Sequence, residues 1–148
     1  MSLLPFDSPL LGPLLSDPET AALLDDRAQV KAMLVFEAAL ARAEGRSGVI
    51  PEGAAAEIAE VAGVVEIAPE SLAEGTAQDG IPVPALVAAL RRAVAEAAGG
   101  EAAAYVHWGA TTQDVMDTGL VLRLRGILDI FQRRLAALGD RLAALAEA

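Results

Sequence analysis

The sequence predicts an all-α protein, an N-terminal helical domain leading into one long helix of a central bundle, and three observations carry that expectation. Apolar residues make up 54% of the chain, and many are alanine, the residue with the highest intrinsic helix propensity. The aromatics are few (Phe6, Phe36, Tyr105, Trp108 and Phe131), β-branched residues are sparse, and no stretch alternates at strand length. From Val121 onward, leucines and related residues recur at spacings of three and four, the signature of a helix packed nearly parallel to others.

Punctuation residues divide the chain. The opening Met1–Leu15 is leucine-rich, yet it has no basic start and contains Asp7 and three prolines; we expect an extended packing arm, not a signal peptide. Ser16-Asp17-Pro18-Glu19 supplies a cap, a first-turn proline and an early acid, so a short helix should run to about Leu24. A longer helix is expected from Asp26 to about Glu44, with Val30, Leu34, Glu37 and Ala41 on one face and Met33, Phe36 and Leu40 beside it. Gly45 and Gly48 are expected to stop it. Pro51 opens a helix carrying Ile58 and Val61 that ends near Gly63; Pro69-Glu70 starts a weak turn broken at Gly75 and Gly80; Pro84 starts a helix to about Ala98.

The last segment is the most regular. Val121, Leu124, Leu128, Phe131, Leu135, Leu138, Leu142 and Leu145 form a seam, and Leu120, Ile127 and Ile130 add apolar surface beside it, so more than one neighbouring helix is expected. The pattern reaches Ala148 without a capping glycine or proline, and we expect a truncation inside a long helix. The expected division is residues 1–110 as the N-terminal helical domain and 111–148 as the start of the bundle.

Composition narrows the function. Twenty-one acidic and eleven basic residues give a net charge of −10, and no basic stripe offers a nucleic acid a binding face. There is no cysteine, hence no disulfide or thiolate metal site. No apolar run approaches the ~20 residues that span a bilayer. We expect a soluble, cytoplasmic protein with neither nucleic-acid nor membrane partners.

One dense cluster remains. Tyr105-Val106-His107-Trp108-Gly109-Ala110-Thr111-Thr112-Gln113-Asp114 holds the only histidine and the only tryptophan, just before the long helix. Thr111 or Thr112 suits an N-cap, and Asp114 stands three residues after Thr111 as in a capping box. Taken alone, these residues allow a simple capped helix beside a packed aromatic. They equally build an anion site: the first helix amides have no internal partner, two hydroxyls lie beside them, Gly109 permits close approach, and His107 can donate a hydrogen bond or move a proton.

Residues 107–118, His-Trp-Gly-Ala-Thr-Thr-Gln-Asp-Val-Met-Asp-Thr, resemble the first signature block of the fumarase/aspartase superfamily, which reads His-x-Gly-x-Thr-Ser/Thr-x-Asp in its adenylosuccinate lyase and carboxymuconate cycloisomerase branches. Asp26-Arg27, Met33-Leu34, Glu37–Ala43 and Gly48-Val49-Ile50-Pro51 are similar to the amino-terminal helices of these enzymes. Adenylosuccinate lyases carry Thr-x-His-Asp ahead of the block, whereas this chain has Thr76-Ala77-Gln78-Asp79 and then an Ile-Pro segment. Glutamine orients a carboxylate but cannot transfer a proton as imidazole does. That departure turns the resemblance toward the 3-carboxy-cis,cis-muconate cycloisomerase branch, with another superfamily lyase, or a helical assembly module without chemistry, as rivals.

The resemblance implies a small polycarboxylate substrate, no cofactor or metal, and a homotetramer whose active sites draw on three subunits. It implies that Thr111 and Thr112 hold a carboxylate and that His107 positions substrate or assists proton transfer. Gln113 and Asp114 would support that turn, Gln78 would orient a carboxylate and Arg27 would neutralise another. The superfamily's later blocks, including its mobile Gly-Ser-Ser-x-x-Pro-x-Lys-x-Asn loop, do not occur in these 148 residues, which are therefore expected to be inactive alone.

Overall fold

In a computed structural model, which describes residues 8–98 and 100–147, the chain forms eight α-helices and one 3-10 turn, with no strand among the described residues. The helices are α1 (Gly12–Leu15), α2 (Pro18–Leu24), α3 (Asp26–Arg46), α4 (Glu52–Val64), α5 (Ala73–Asp79), α6 (Val83–Ala98), α7 (Gly100–Ala103) and α8 (Thr112–Ala146); the 3-10 turn, Pro69–Leu72, leads into α5. The all-α expectation holds. The arm expected over Met1–Leu15 lies partly outside the described residues, and its last part is not extended: Gly12–Leu15 form a helical turn with proline in its first positions.

Caps set the starts as sequence chemistry dictates. Asp17 accepts from the Glu19 amide at the head of α2, and Asp25 accepts from the Ala28 amide at the head of α3, each satisfying an amide that has no partner inside its helix. Gly45 does not stop α3, which runs on to Arg46. A Cβ added at Gly45 would sit 2.5 Å from the Ala55 Cβ, so this glycine is where α3 and α4 cross most closely. The chain turns at Gly48 instead, with φ of +68°. Gly75 likewise lies within α5 against Ala85, and the break falls at Gly80, a left-handed residue. Glycine ends a helix or lets two helices touch, and its neighbours in sequence do not distinguish the two uses.

The crossing makes a prediction. Gly45→Ala should gain ~1 kcal/mol of helix propensity but force apart two backbones that touch through small atoms, at a cost of about 1–3 kcal/mol. The overlap is with a backbone-fixed Cβ, so the clash should win and the urea midpoint should fall. A midpoint that rose would show that α3 and α4 do not approach as described.

The core lies between α3, α4, α6 and α7, where Met33, Ile58, Leu86, Leu90 and Val94 are fully buried. Val106 and Val115, on either side of the loop between α7 and α8, plug into the same core. They anchor that loop at both ends. Helix α8 runs about 52 Å at 1.5 Å per residue. Its first half packs on α3 and α2, burying Val115, Gly119, Ile127 and Ile130. Leu120, expected to pack beside the seam, stays partly exposed, and every residue from Phe131 to Glu147 is exposed. Arg133 and Arg134 pair with Glu19 and Asp17 at the head of α2, with Arg134 reaching Asp17 at 3.0 Å and Glu19 at 2.7 Å. These guanidinium contacts hold the Asp17 carboxyl well below its usual range, though such exposed pairs fix geometry more than stability. No helix of the described residues is long and apolar enough to cross a membrane.

Candidate active site

The loop between α7 and α8 is built from its ends inward. Amides of Ala104, Tyr105 and Val106 donate back to carbonyls of Glu101, Ala102 and Ala103, tightening the exit from α7. Val106 is then pinned in the core, and Arg91 of α6 donates to its carbonyl oxygen at 3.0 Å. The next residue, His107, has φ of +61°, the only described non-glycine residue in left-handed space. That conformation costs on the order of 1 kcal/mol or more for a residue with a Cβ, and it persists only where surroundings over-determine it. Here they do, through Val106 behind and a buried carboxylate beside.

The carboxylate is Glu37. His107 Nδ1 lies 2.7 Å from Glu37 Oε1, and Glu37 is 1% exposed in the middle of α3. Its second oxygen is buried without a described partner. Burial pushes the Glu37 carboxyl above its usual value, against the pull of His107 and Arg91. Two turns further along α3, Glu44 lies beneath the Gly109 turn, its Oε2 also buried and without a described partner. Burial first, and the Glu37 charge second, raise the Glu44 carboxyl, against the pull of His107.

Glu44 gives a pH prediction. Below an ordinary glutamate value near 4.5 both folded and unfolded chains hold this proton, and its contribution to stability is fully present. As pH rises through the raised folded value that stability is lost, because the unfolded chain ionises more readily. Glu44→Gln cannot ionise. Its melting temperature relative to the parent should therefore be higher at pH 8 than at pH 5, read by thermal circular dichroism. A difference that shrank with pH would mean that Glu44 is not desolvated.

At the far end of the loop, α8 starts as expected. Thr111 is its N-cap in extended conformation and forms a capping box with Asp114, whose Oδ2 accepts from the Thr111 amide at 2.9 Å. Gln113 donates along the helix surface to Asp117 at 3.2 Å. Thr112, His107, Arg91 and Arg92 share one open hollow of about 600 Å³, floored by Val83, Pro84, Val87 and Ala88 of α6. Two arginines, a histidine and a helix start line it, in a chain that is acidic as a whole.

The structure thus brings His107 and Thr112 together and sets Thr111, Gln113 and Asp114 on the same helix start, the last two with side chains engaged within α8. It does not bring the other two candidates there. Arg27 lies ten residues before Glu37 on α3, about 15 Å along the axis, and lines a separate groove with Lys31, Arg42 and the 62–69 segment. Gln78 is exposed on α5 and absent from the lining, although Val83, five positions on, belongs to it. Sequence reasoning missed Glu37 as a partner of His107. The signal was present: one carboxylate in an otherwise apolar helical face demands a buried partner. Arg91 and Arg92 gave no comparable signal, since paired arginines on an amphipathic helix are ordinary.

No family model matches the chain. Individual proteins do. The chain is 45% identical over 139 residues to the 3-carboxy-cis,cis-muconate cycloisomerase of Bradyrhizobium diazoefficiens, matching 94% of this chain and 31% of that protein. It is 48% identical over 126 residues to the enzyme of the same name from Pseudomonas aeruginosa, matching 85% of this chain and 27% of that one. The crystal structure of 3-carboxy-cis,cis-muconate lactonizing enzyme from Pseudomonas putida superposes with a TM-score of 0.83 at 40% identity, over 90% of this chain and 30% of that one. Sequence and coordinates agree along nearly the whole chain. The chain belongs to the fumarase/aspartase superfamily. It spans about 30% of the length of these superfamily relatives. The superposition covers 90% of the chain, so most of its helical path is a scaffold shared with that enzyme.

Proposed function

We propose that this chain supplies the carboxylate-holding part of the active site of a 3-carboxy-cis,cis-muconate cycloisomerase. The observation that carries the reading is that His107 and Thr112 line one hollow with Arg91 and Arg92 at the start of α8, in a chain 42–48% identical to cycloisomerases over most of its length. In the proposed reaction a carboxylate oxygen of 3-carboxy-cis,cis-muconate adds across a double bond and the neighbouring carbon takes a proton, giving a carboxymuconolactone of protocatechuate breakdown. Both directions pass through a carbanion delocalised into a carboxylate, and preorganised donors must meet that charge. Thr111 and Thr112 with the first α8 amides hold a substrate carboxylate. Gln113 and Asp114 keep that turn in shape, and His107 faces the reacting end.

Arg27 and Gln78 lie off the hollow, so a substrate reaches them only at a site shared with another subunit. Superfamily sites are of that kind, drawn from three subunits of a tetramer, which fits the uncovered half of α8. On this reading residues 1–110 are the N-terminal domain, residues 111–148 the first span of the bundle, and the assembled enzyme a cytoplasmic homotetramer.

Grafting tests the assignment. This chain should replace the matching first part of the Pseudomonas putida enzyme and leave a chimera that consumes 3-carboxy-cis,cis-muconate, followed by loss of its ultraviolet absorbance. The same chimera should leave adenylosuccinate untouched. A folded chimera that cleaves adenylosuccinate, or is inert toward both, would overturn the reading.

A further inference from the structure

Glu37 and the histidine it meets come from opposite ends of the chain's logic. One sits mid-helix on α3, the other in a strained loop seventy residues later. Their 2.7 Å contact is the only hydrogen bond that holds the imidazole among the described residues. It uses Nδ1. The side chain of His107 keeps 13% of its surface exposed, while that of Glu37 keeps none, so the pair has one buried end and one that opens toward the hollow.

We infer that Glu37 is a positioning residue for His107: its carboxylate takes the Nδ1 proton as a hydrogen bond, so Nε2 is the nitrogen that gains and gives up a proton at the hollow. Which ring nitrogen carries a proton is set by the bond the other one makes. A carboxylate is acceptor-only, so an ionised Glu37 fixes Nδ1 as N–H and leaves Nε2 with its lone pair. The opposite arrangement, a neutral Glu37 donating to Nδ1, would put the ring proton on Nε2 and make His107 a donor only. Arg91, whose guanidinium holds the Val106 carbonyl and pulls on the Glu37 carboxyl, favours the ionised form, as does His107 itself; burial and Glu44 on the same helix oppose it. Arg92 faces the hollow from α6.

The geometry fits the ionised arrangement. The 2.7 Å separation is that of a charge-assisted N–H···O bond. The left-handed backbone at His107 accompanies the contact of Nδ1 with Glu37. The Nδ1 proton stays in place throughout; the Nε2 lone pair forms an N–H bond when it takes a proton and recovers its pair when that bond breaks. The functional meaning rests on His107 taking part in the proposed reaction, but the tautomer does not.

His107 is the only histidine of the chain, so its ring nitrogens are read without ambiguity. With histidine labelled in ¹⁵N, two-bond ¹⁵N–¹H correlation above the imidazole titration should show a pyrrole-type Nδ1 and a pyridine-type Nε2. Glu37→Gln retains a carbonyl acceptor and should keep that pattern. Glu37→Leu removes it and should shift the ring to the Nε2–H or averaged pattern of free histidine. A parent spectrum already like free histidine, or a Leu variant that keeps the Nδ1–H pattern, would overturn the inference. Should the Leu variant lose its helical circular dichroism, the parent and Gln spectra decide alone. A chimera inert toward carboxymuconate while the Nδ1–H pattern is intact would sink the proposed function and leave this inference standing.

Discussion

Replacing His107 with alanine in the grafted enzyme is expected to lower kcat/KM for 3-carboxy-cis,cis-muconate by on the order of 10²–10⁴, the range over which a positioned acid or base contributes. The expectation rests on position: one ring nitrogen is committed to Glu37, and the ring borders the hollow shared with Thr112. A loss of that size has a rival cause. Removing the imidazole leaves the Glu37 carboxylate buried with no described partner, and breaking a buried pair from one side destabilises by roughly 3–5 kcal/mol. The two causes separate in the double variant His107→Ala with Glu37→Leu, in which no buried charge is stranded. Its melting temperature should recover toward the parent while its turnover stays low. If turnover recovered along with stability, His107 would be structural. If the single variant lost less than tenfold, His107 would have no part in the chemistry.

Much of the fold was legible because it rests on local rules. Pro18, Pro51 and Pro69 stand at helix or turn starts, Asp17 caps α2, the Thr111 cap marks the start of α8, and the leucine spacing from Val121 onward lies along it. What failed to show was long-range. Gly45 and Gly75 read as stops because their other use, contact with Ala55 and Ala85, depends on which helices meet. The candidate site divides the same way. The loop from His107 to Asp114 is contiguous in sequence and was legible as a unit. The hollow is not contiguous: its floor comes from α6, and the partner of His107 comes from α3. Arg27 and Gln78 were carried by resemblance alone, and in this chain they face other surfaces. Glu37 lay in plain view on an apolar face, but only the folded loop says what it is for.

Glutamate placed together at Leu128, Leu135 and Leu142 is expected to turn a self-associating chain into a monomer, seen by light scattering. The three lie one heptad apart on α8 and are all exposed, within a stripe that also includes Val121, Leu124, Phe131, Leu138 and Leu145. A stripe that long is far larger than the isolated apolar residues of an ordinary surface. Covering such side chains is worth about 1.5–3 kcal/mol each when complete, so even half coverage of eight competes with the roughly 4–15 kcal/mol that association costs. Helicity should follow. Apart from the exposed ion pairs of Arg133 and Arg134 with α2, residues 131–147 are exposed in the described chain, and an isolated helix of about 12–15 residues is marginal in water. The triple variant should therefore lose helical circular dichroism along with mass, and the parent should lose it on dilution. The melting of the core around Met33, Leu86 and Leu90 should not change, since that core is made by α3, α4, α6 and α7. A parent chain that scatters as a stable monomer at tens of micromolar, with its full helical signal, would show that the seam needs no partner helix.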